Sequence, residues 1–210
     1  VMSKDRFKES IIELKYGDSY DLNELRSNLV KLKYERVDAI EGVGQFSVRG
    51  GIIDIFSPSE ANPFRVEFFD DEVDSIRLID LKTQRSVKNI KSAKILPCSD
   101  ILFKKEEIKI ILSEIEKDYY KQSQNQSLSK EAFKNLKNLY KSYQDKLMGG
   151  MGIENADLLI SFIKESFSSI IDYFEDDSIL LLDEPERIFE ELNDLNESFQ
   201  LKYTELFERG

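Results

Sequence analysis

Two adjacent carboxylates, Asp183 and Glu184, close the apolar run Ile179 to Leu182 in the pattern ILLLDE. That is the form of a Walker B strand, in which the acids serve Mg2+ and water activation at a nucleotide site. The chemistry needs a partner, a GxxxxGK[ST] loop whose backbone N–H groups and lysine cradle the phosphates. No such run occurs in these residues, and the glycine cluster Gly149, Gly150 and Gly152 lacks the lysine. The same letters also start a helix. Asp183 or Glu184 caps it, Pro185 sits in a first turn where a missing N–H does no harm, and Glu186 lies near the positive end of the dipole. We read the pair in this second way, so no nucleotide, metal ion or other cofactor is expected on this segment. Histidine is absent and Cys98 is the single cysteine. These two facts remove Ser-His-Asp and Cys-His nucleophile pairs, nearly all zinc patterns and any internal disulfide. No catalytic residue is assigned.

The residues with most to offer are recognition groups in the stretch Gly44 to Asp80, GQFSVRGGIIDIFSPSEANPFRVEFFDDEVDSIRLID. Short alternating runs separated by turn residues make it several strands. Phe46 and Val48 alternate with Gln45, Ser47 and Arg49; Gly50-Gly51 makes a two-residue hairpin turn; Ile52 to Phe56 is an apolar run broken by Asp54. In the next strand, Phe64, Val66 and Phe68 share one face, and Arg65, Glu67 and Phe69 the other. The all-apolar face packs on the core. Phe69 is then left on the polar side beside Arg65, and Arg49 shares that surface if the strands pair as a meander. An aromatic anchor flanked by arginines has the composition of a protein-binding hot spot, worth about 2 kcal/mol or more. The alternative is a Phe69 covered by a neighbouring helix, with both arginines ordinary surface charges.

The elements that must position these groups follow from the flanking sequence. Ile11 to Tyr16 is a short strand, and Asp21 caps a helix whose Leu22, Leu25, Leu29 and Leu32 form one apolar face over the sheet. Val87 to Leu96 supplies a final strand. Residues 11–96 thus make a small antiparallel-sheet domain with a covering helix, after a lead-in at 1–10. Residues 97–210 make a mostly helical part-domain. It holds helices over 104–122 and 129–147, the second turning Phe133, Leu136, Tyr140, Tyr143 and Leu147 inward, then one strand at Ile179 to Leu182 buried on both faces, and a last helix from Pro185. The fold class is α+β. Lys130, Lys134, Lys137 and Lys141 line up on the second helix, a stripe able to meet nucleic-acid phosphate but read here as a solvated face.

Composition narrows the function. With 41 acidic against 30 basic residues the net charge is −11, which argues against a stand-alone nucleic-acid binder. The 40% apolar content allows a real core, and no run of about 18 apolar residues or signal layout is present, so a soluble, cytoplasmic protein is expected. The start at Val1 rather than methionine suggests a piece of a longer chain.

The runs FSVRGGIIDIF and FRVEFFDDEVDSIRLID, with TQRS at Thr83 to Ser86, resemble the UvrB-homology region of the bacterial transcription-repair coupling factors (Mfd). UvrB is a near relative. The GIEN after Met151 and the DEPE at 183 to 186 continue the resemblance, and DEPE favours the coupling factors over UvrB, where the acid pair is followed by Ser-His. The resemblance implies a domain that docks onto UvrA, the damage-recognition ATPase of nucleotide excision repair, through Arg49, Arg65 and Phe69. It implies a following helicase-like region without nucleotide hydrolysis of its own. It also implies a parent resembling an ATP-dependent DNA translocase, using ATP and Mg2+, that displaces stalled RNA polymerase from double-stranded DNA. In that parent a C-terminal domain masks the UvrA-binding surface. A fragment of UvrB, or a structural domain with no partner of its own, remains the alternative.

Overall fold

The structure, a computed structural model, describes residues 1–124, 129–149 and 156–209, with backbone alone at Glu165 and at 206–209. The chain divides into two compact units, Val1–Leu102 with Glu165–Ser169, and Phe103–Lys164 with Ile170–Gly210. Helices and antiparallel strands together make it an α+β protein.

The first unit begins with α1 (Lys4–Ser10), capped by Ser3, whose hydroxyl accepts the Arg6 N–H at 3.4 Å. β1 (Ile12–Lys15) follows, then α2 (Leu22–Lys31). Asp21 caps α2 as its sequence demands: one carboxylate oxygen accepts the N–H groups of Asn23 at 2.6 Å and Glu24 at 3.3 Å. The strands β2 (Glu35–Arg36), β3 (Gln45–Arg49), β4 (Ile52–Ile55), β5 (Phe64–Phe69), β6 (Glu72–Ile79) and β7 (Ser86–Ile90) form one six-stranded sheet in that order. β8 (Ser92–Ile95) pairs instead with β1 in a separate two-stranded sheet.

Directly opposed residues share a face, so the register sorts the side chains. Phe46 pairs with Ile55 and Ile55 with Phe64, while Ile53 pairs with Val66 and Val66 with Ile76. All are buried and meet Leu25 and Leu29 of α2 in one core. Burying each such side chain stabilises the fold by about 1.5–3 kcal/mol. α2 therefore covers the inner face of the sheet, and the outer face carries the polar partners.

Three expectations change. The single strand Val87 to Leu96 is two strands that part at Lys91, because one half bonds β6 and the other β1. The sheet is not wholly antiparallel, since β2 runs parallel to β3. Residues 1–10 are not a bare lead-in: α1 lies in the first unit, Met2 is buried and bridges to Phe167, and Arg6 lies over the Phe167 ring, 5.4 Å from its centroid.

The second unit contains α3 (Lys105–Ser123), α4 (Lys130–Met148) and α5 (Pro185–Arg209), with 3-10 turns at Ala156–Phe162, Lys164–Ser166 and Ile170–Tyr173. Glu107 starts α3, its carboxylate accepting the Lys104 N–H at 2.7 Å. Tyr119 of α3 stacks on Tyr140 of α4 with ring centroids 4.6 Å apart. Leu147 is buried but Phe133, expected inward, is exposed. The expected hinge after Gly149 and the GIEN segment lie outside the described residues.

The buried strand expected at Ile179 to Leu182 does not form. Ile179 and Leu181 are each 87% exposed, and no described strand lies beside them. A strand buried on both faces requires neighbours on both edges, because its backbone donors and acceptors have no partners within the segment itself. The described strands all belong to the two sheets of the first unit.

Candidate functional site

The outer face of the sheet is built from the residues that the inner core rejects. Reading across the register, Arg49 opposes Ile52 and Ile52 opposes Glu67; Ser47 opposes Asp54, Asp54 opposes Arg65, and Arg65 opposes Arg77. The register places Arg49 and Arg65 on one face, as the meander pairing required. Phe69 ends β5 two positions beyond Glu67, past a register shift between Glu67 and Phe68 that passes over Asp74 of β6, so β5 keeps its own alternation and Phe69 stays on that face.

Phe69 is 78% exposed, so no described helix of its unit covers it. Its place is fixed from several directions. The β5–β6 loop is Asp70-Asp71, with Asp70 at φ +57, a left-handed conformation that a short polar residue tolerates. The loop after β1 braces this turn: Tyr20 N–H donates to the Asp71 carbonyl at 2.7 Å, and Val73 N–H to the Asp18 carbonyl at 2.9 Å. On the other side, Gly50 at φ +61 and Gly51 connect β3 to β4 as the expected two-residue hairpin. Gly51 must be glycine for a reason alternation does not reveal. A Cβ there would stand 2.8 Å from the Phe68 carbonyl oxygen, and the Phe68 N–H donates to the Gly51 carbonyl at 2.8 Å. That close approach ties the tip of β5 to the β3–β4 turn and brings the end of Arg49's strand beside Phe69's.

The arginines differ. Arg49 is exposed, and its Nη2 donates to the Asp38 carbonyl at 3.0 Å, which leans it over the loop after β2. Arg65 is not the solvated charge its pattern suggests. Its side chain is 20% exposed and forks onto Asp54, only 3% exposed, with Nε to Oδ1 at 2.6 Å and Nη2 to Oδ2 at 2.8 Å. The hydrogen bond to this carboxylate raises the guanidinium pKa above its already high ordinary value, against the opposing effect of burial. A second ion pair, Arg77 with Glu67, lies alongside, and the Ser75 hydroxyl donates to Glu67 at 3.0 Å. Alternation alone reads Asp54 as a break in an apolar run. It lies on the outer face, and only the register that sets it opposite Arg65, eleven residues on, discloses the pair.

The TQRS segment has a structural role next to this face. The Thr83 N–H and hydroxyl both donate to Asp80 at 2.8 Å, and these bonds hold the Asp80 carboxyl below its usual range. Gln84 takes φ +57 and its amide donates to the Leu81 carbonyl at 2.8 Å, closing the β6–β7 connection. Cys98 lies half-buried in the first unit, where burial pushes its thiol pKa up.

The other candidate residues stand apart. Lys130, Lys134, Lys137 and Lys141 are all exposed on α4. Glu184 has φ +48, its carbonyl accepts the Ile188 N–H at 3.2 Å, and its carboxylate pairs with Arg187 at 3.4 Å. With Asp183 and Glu191 it edges an open groove of about 530 Å³ along the start of α5. Three carboxylates against one guanidinium repel phosphate rather than hold it. Among the described residues no group of three or more His, Cys, Asp or Glu is placed to hold a metal ion, and no helix is long and apolar enough to cross a membrane.

Comparison with known proteins finds a family match over most of the first unit. Residues 12–100 match the UvrB interaction domain family. The chain is 35% identical over 192 residues to a transcription-repair-coupling factor of Staphylococcus aureus (strain bovine RF122 / ET3-1), covering 90% of this chain and 16% of that protein. It is 36% identical over 208 residues to one from Staphylococcus epidermidis (strain ATCC 35984), covering 98% and 17%. A third, from Staphylococcus haemolyticus (strain JCSC1435), is 37% identical over 186 residues, covering 88% and 16%. The chain thus spans about a sixth of the curated relatives it matches. Residues 12–100 belong to the UvrB interaction domain family, in a chain related along nearly its whole length to one segment of the transcription-repair-coupling factors.

Proposed function

We propose that this chain is a protein-docking module that recruits UvrA in transcription-coupled nucleotide excision repair, and that the outer face of its six-stranded sheet makes the contact through Arg49, Arg65 and Phe69. The observation that carries the reading is Phe69, a large aromatic ring left 78% exposed on a largely charged face and held at a braced hairpin end. An ordered aromatic costs little further conformational entropy on binding, and rings flanked by arginine dominate protein interfaces. The module binds without chemistry of its own. The longer protein to which such a segment belongs would be an ATP-dependent DNA translocase acting on stalled RNA polymerase, with ATP, Mg2+ and double-stranded DNA handled by parts beyond these residues. Its UvrA-binding face would be masked by a C-terminal domain until needed.

Calorimetric titration of the chain into purified UvrA tests this. Saturable binding that Phe69→Ala weakens by about 1–3 kcal/mol, with an unchanged thermal midpoint, supports the reading. Absence of binding by the wild-type chain, or a Phe69→Ala variant that binds as tightly, contradicts it.

A further inference from the structure

Arg65 and Arg77 stand directly opposite each other on β5 and β6. Like charges in that position repel unless each has its own counter-ion. Arg77 has Glu67, which the Ser75 hydroxyl also engages. Arg65 has Asp54, directly opposite on β4 and almost wholly buried. The Asp54 contact is a planar fork: two parallel N–H···O bonds of 2.6 and 2.8 Å fix both the direction and the plane of the guanidinium. Of its five N–H donors, the fork consumes two. The other three have no acceptor among the described residues.

We infer that Asp54 is a positioning residue for docking: it sets the plane of Arg65 so that the unused edge of the guanidinium is presented, already ordered, to an acceptor of the partner, a carboxylate or a pair of carbonyls. This rests on the reading under Proposed function and deepens it. Asp54 touches no partner itself, being buried beneath the arginine it holds. Without its charge the fork that fixes the guanidinium plane is lost, and Glu67, the other carboxylate acting on Arg65, is already paired with Arg77. The arginine edge is then no longer where the partner meets it. A lysine at position 65 keeps the charge and satisfies Asp54 as a point contact, but it has no second edge to offer.

The test is a set of calorimetric titrations against UvrA with the wild-type chain, Arg65→Ala, Arg65→Lys, Asp54→Asn and the double variant Asp54→Asn/Arg65→Ala, each checked for thermal midpoint. Asp54→Asn is expected to weaken binding about tenfold. It should have no further effect once Arg65 is alanine. Arg65→Lys, which retains a charge over Asp54 and so keeps the fold if the asparagine variant does not, should lose as much affinity as Arg65→Ala. A loss from Asp54→Asn that persists in the Arg65→Ala background, or Arg65→Lys binding like wild type, overturns the positioning role. If Arg65→Ala itself binds like wild type, it is the assignment of Arg65 to the docking face that fails.

Discussion

Two of the regions in which this chain exposes apolar side chains do so differently. On the outer face of the sheet there is one ring, Phe69, at the end of a strand whose other outward residues are in ion pairs or hydrogen bonds. From Ile179 onward there is a run: Ile179 to Leu182 and then Ile188, Phe189, Leu192, Leu195 and Phe199 of α5 are all exposed. The first region is finished, with a closed core behind it, braced turns and acids matched to arginines. The second has apolar periodicity without the neighbours that periodicity requires. Exposure by itself therefore does not mark a binding site. An exposed ring braced at a hairpin end, over a core already closed behind it, is the stronger indication, because the first unit's core is complete without that ring.

Substitutions at the two regions and behind the sheet should separate in size. Ile53→Ala, which empties a fully buried position between β3 and β5, should lower stability by about 2–5 kcal/mol in chemical denaturation. A loss below about 1 kcal/mol would mean the core is not closed behind the docking face. Phe69→Ala should leave denaturation unchanged within about 0.5 kcal/mol while costing about 1–3 kcal/mol of UvrA affinity. Destabilisation instead would place the ring in the core. Arg49→Ala should cost about 1 kcal/mol of affinity, less than Phe69→Ala, because its single bond to the Asp38 carbonyl holds it more loosely than a fork would. Equal losses would show an interface dominated by charge. Leu192→Ser on α5 should change stability by less than about 0.5 kcal/mol and UvrA affinity not at all. A drop in affinity there would erase the distinction between the regions.

What was legible in the sequence follows the range of the interactions. Asp21 as a cap, Gly50-Gly51 as a hairpin and the side of β5 on which Phe69 lies are decided by residues a few positions apart, and each was readable. The division of 86–95 into two strands was not. Ser86 to Ile90 and Ser92 to Ile95 have similar letters but bond to β6 and β1, which are far apart in sequence. The Asp54–Arg65 fork was hidden for the same reason, since it depends on a register between strands and not on alternation within one. Ile179 to Leu182 misled in the opposite sense. Its residue types suit a buried strand, but burial is a property of surroundings, and the described surroundings supply no sheet.

The most direct measurement is photocrosslinking to UvrA from benzoylphenylalanine placed at position 69 and, separately, at position 189, which is exposed on α5. The outcome expected is efficient crosslinking from position 69, abolished by excess unlabelled chain, and none from position 189. Crosslinking from 189 alone, or from both positions equally, would contradict the assignment of the sheet's outer face as the docking surface.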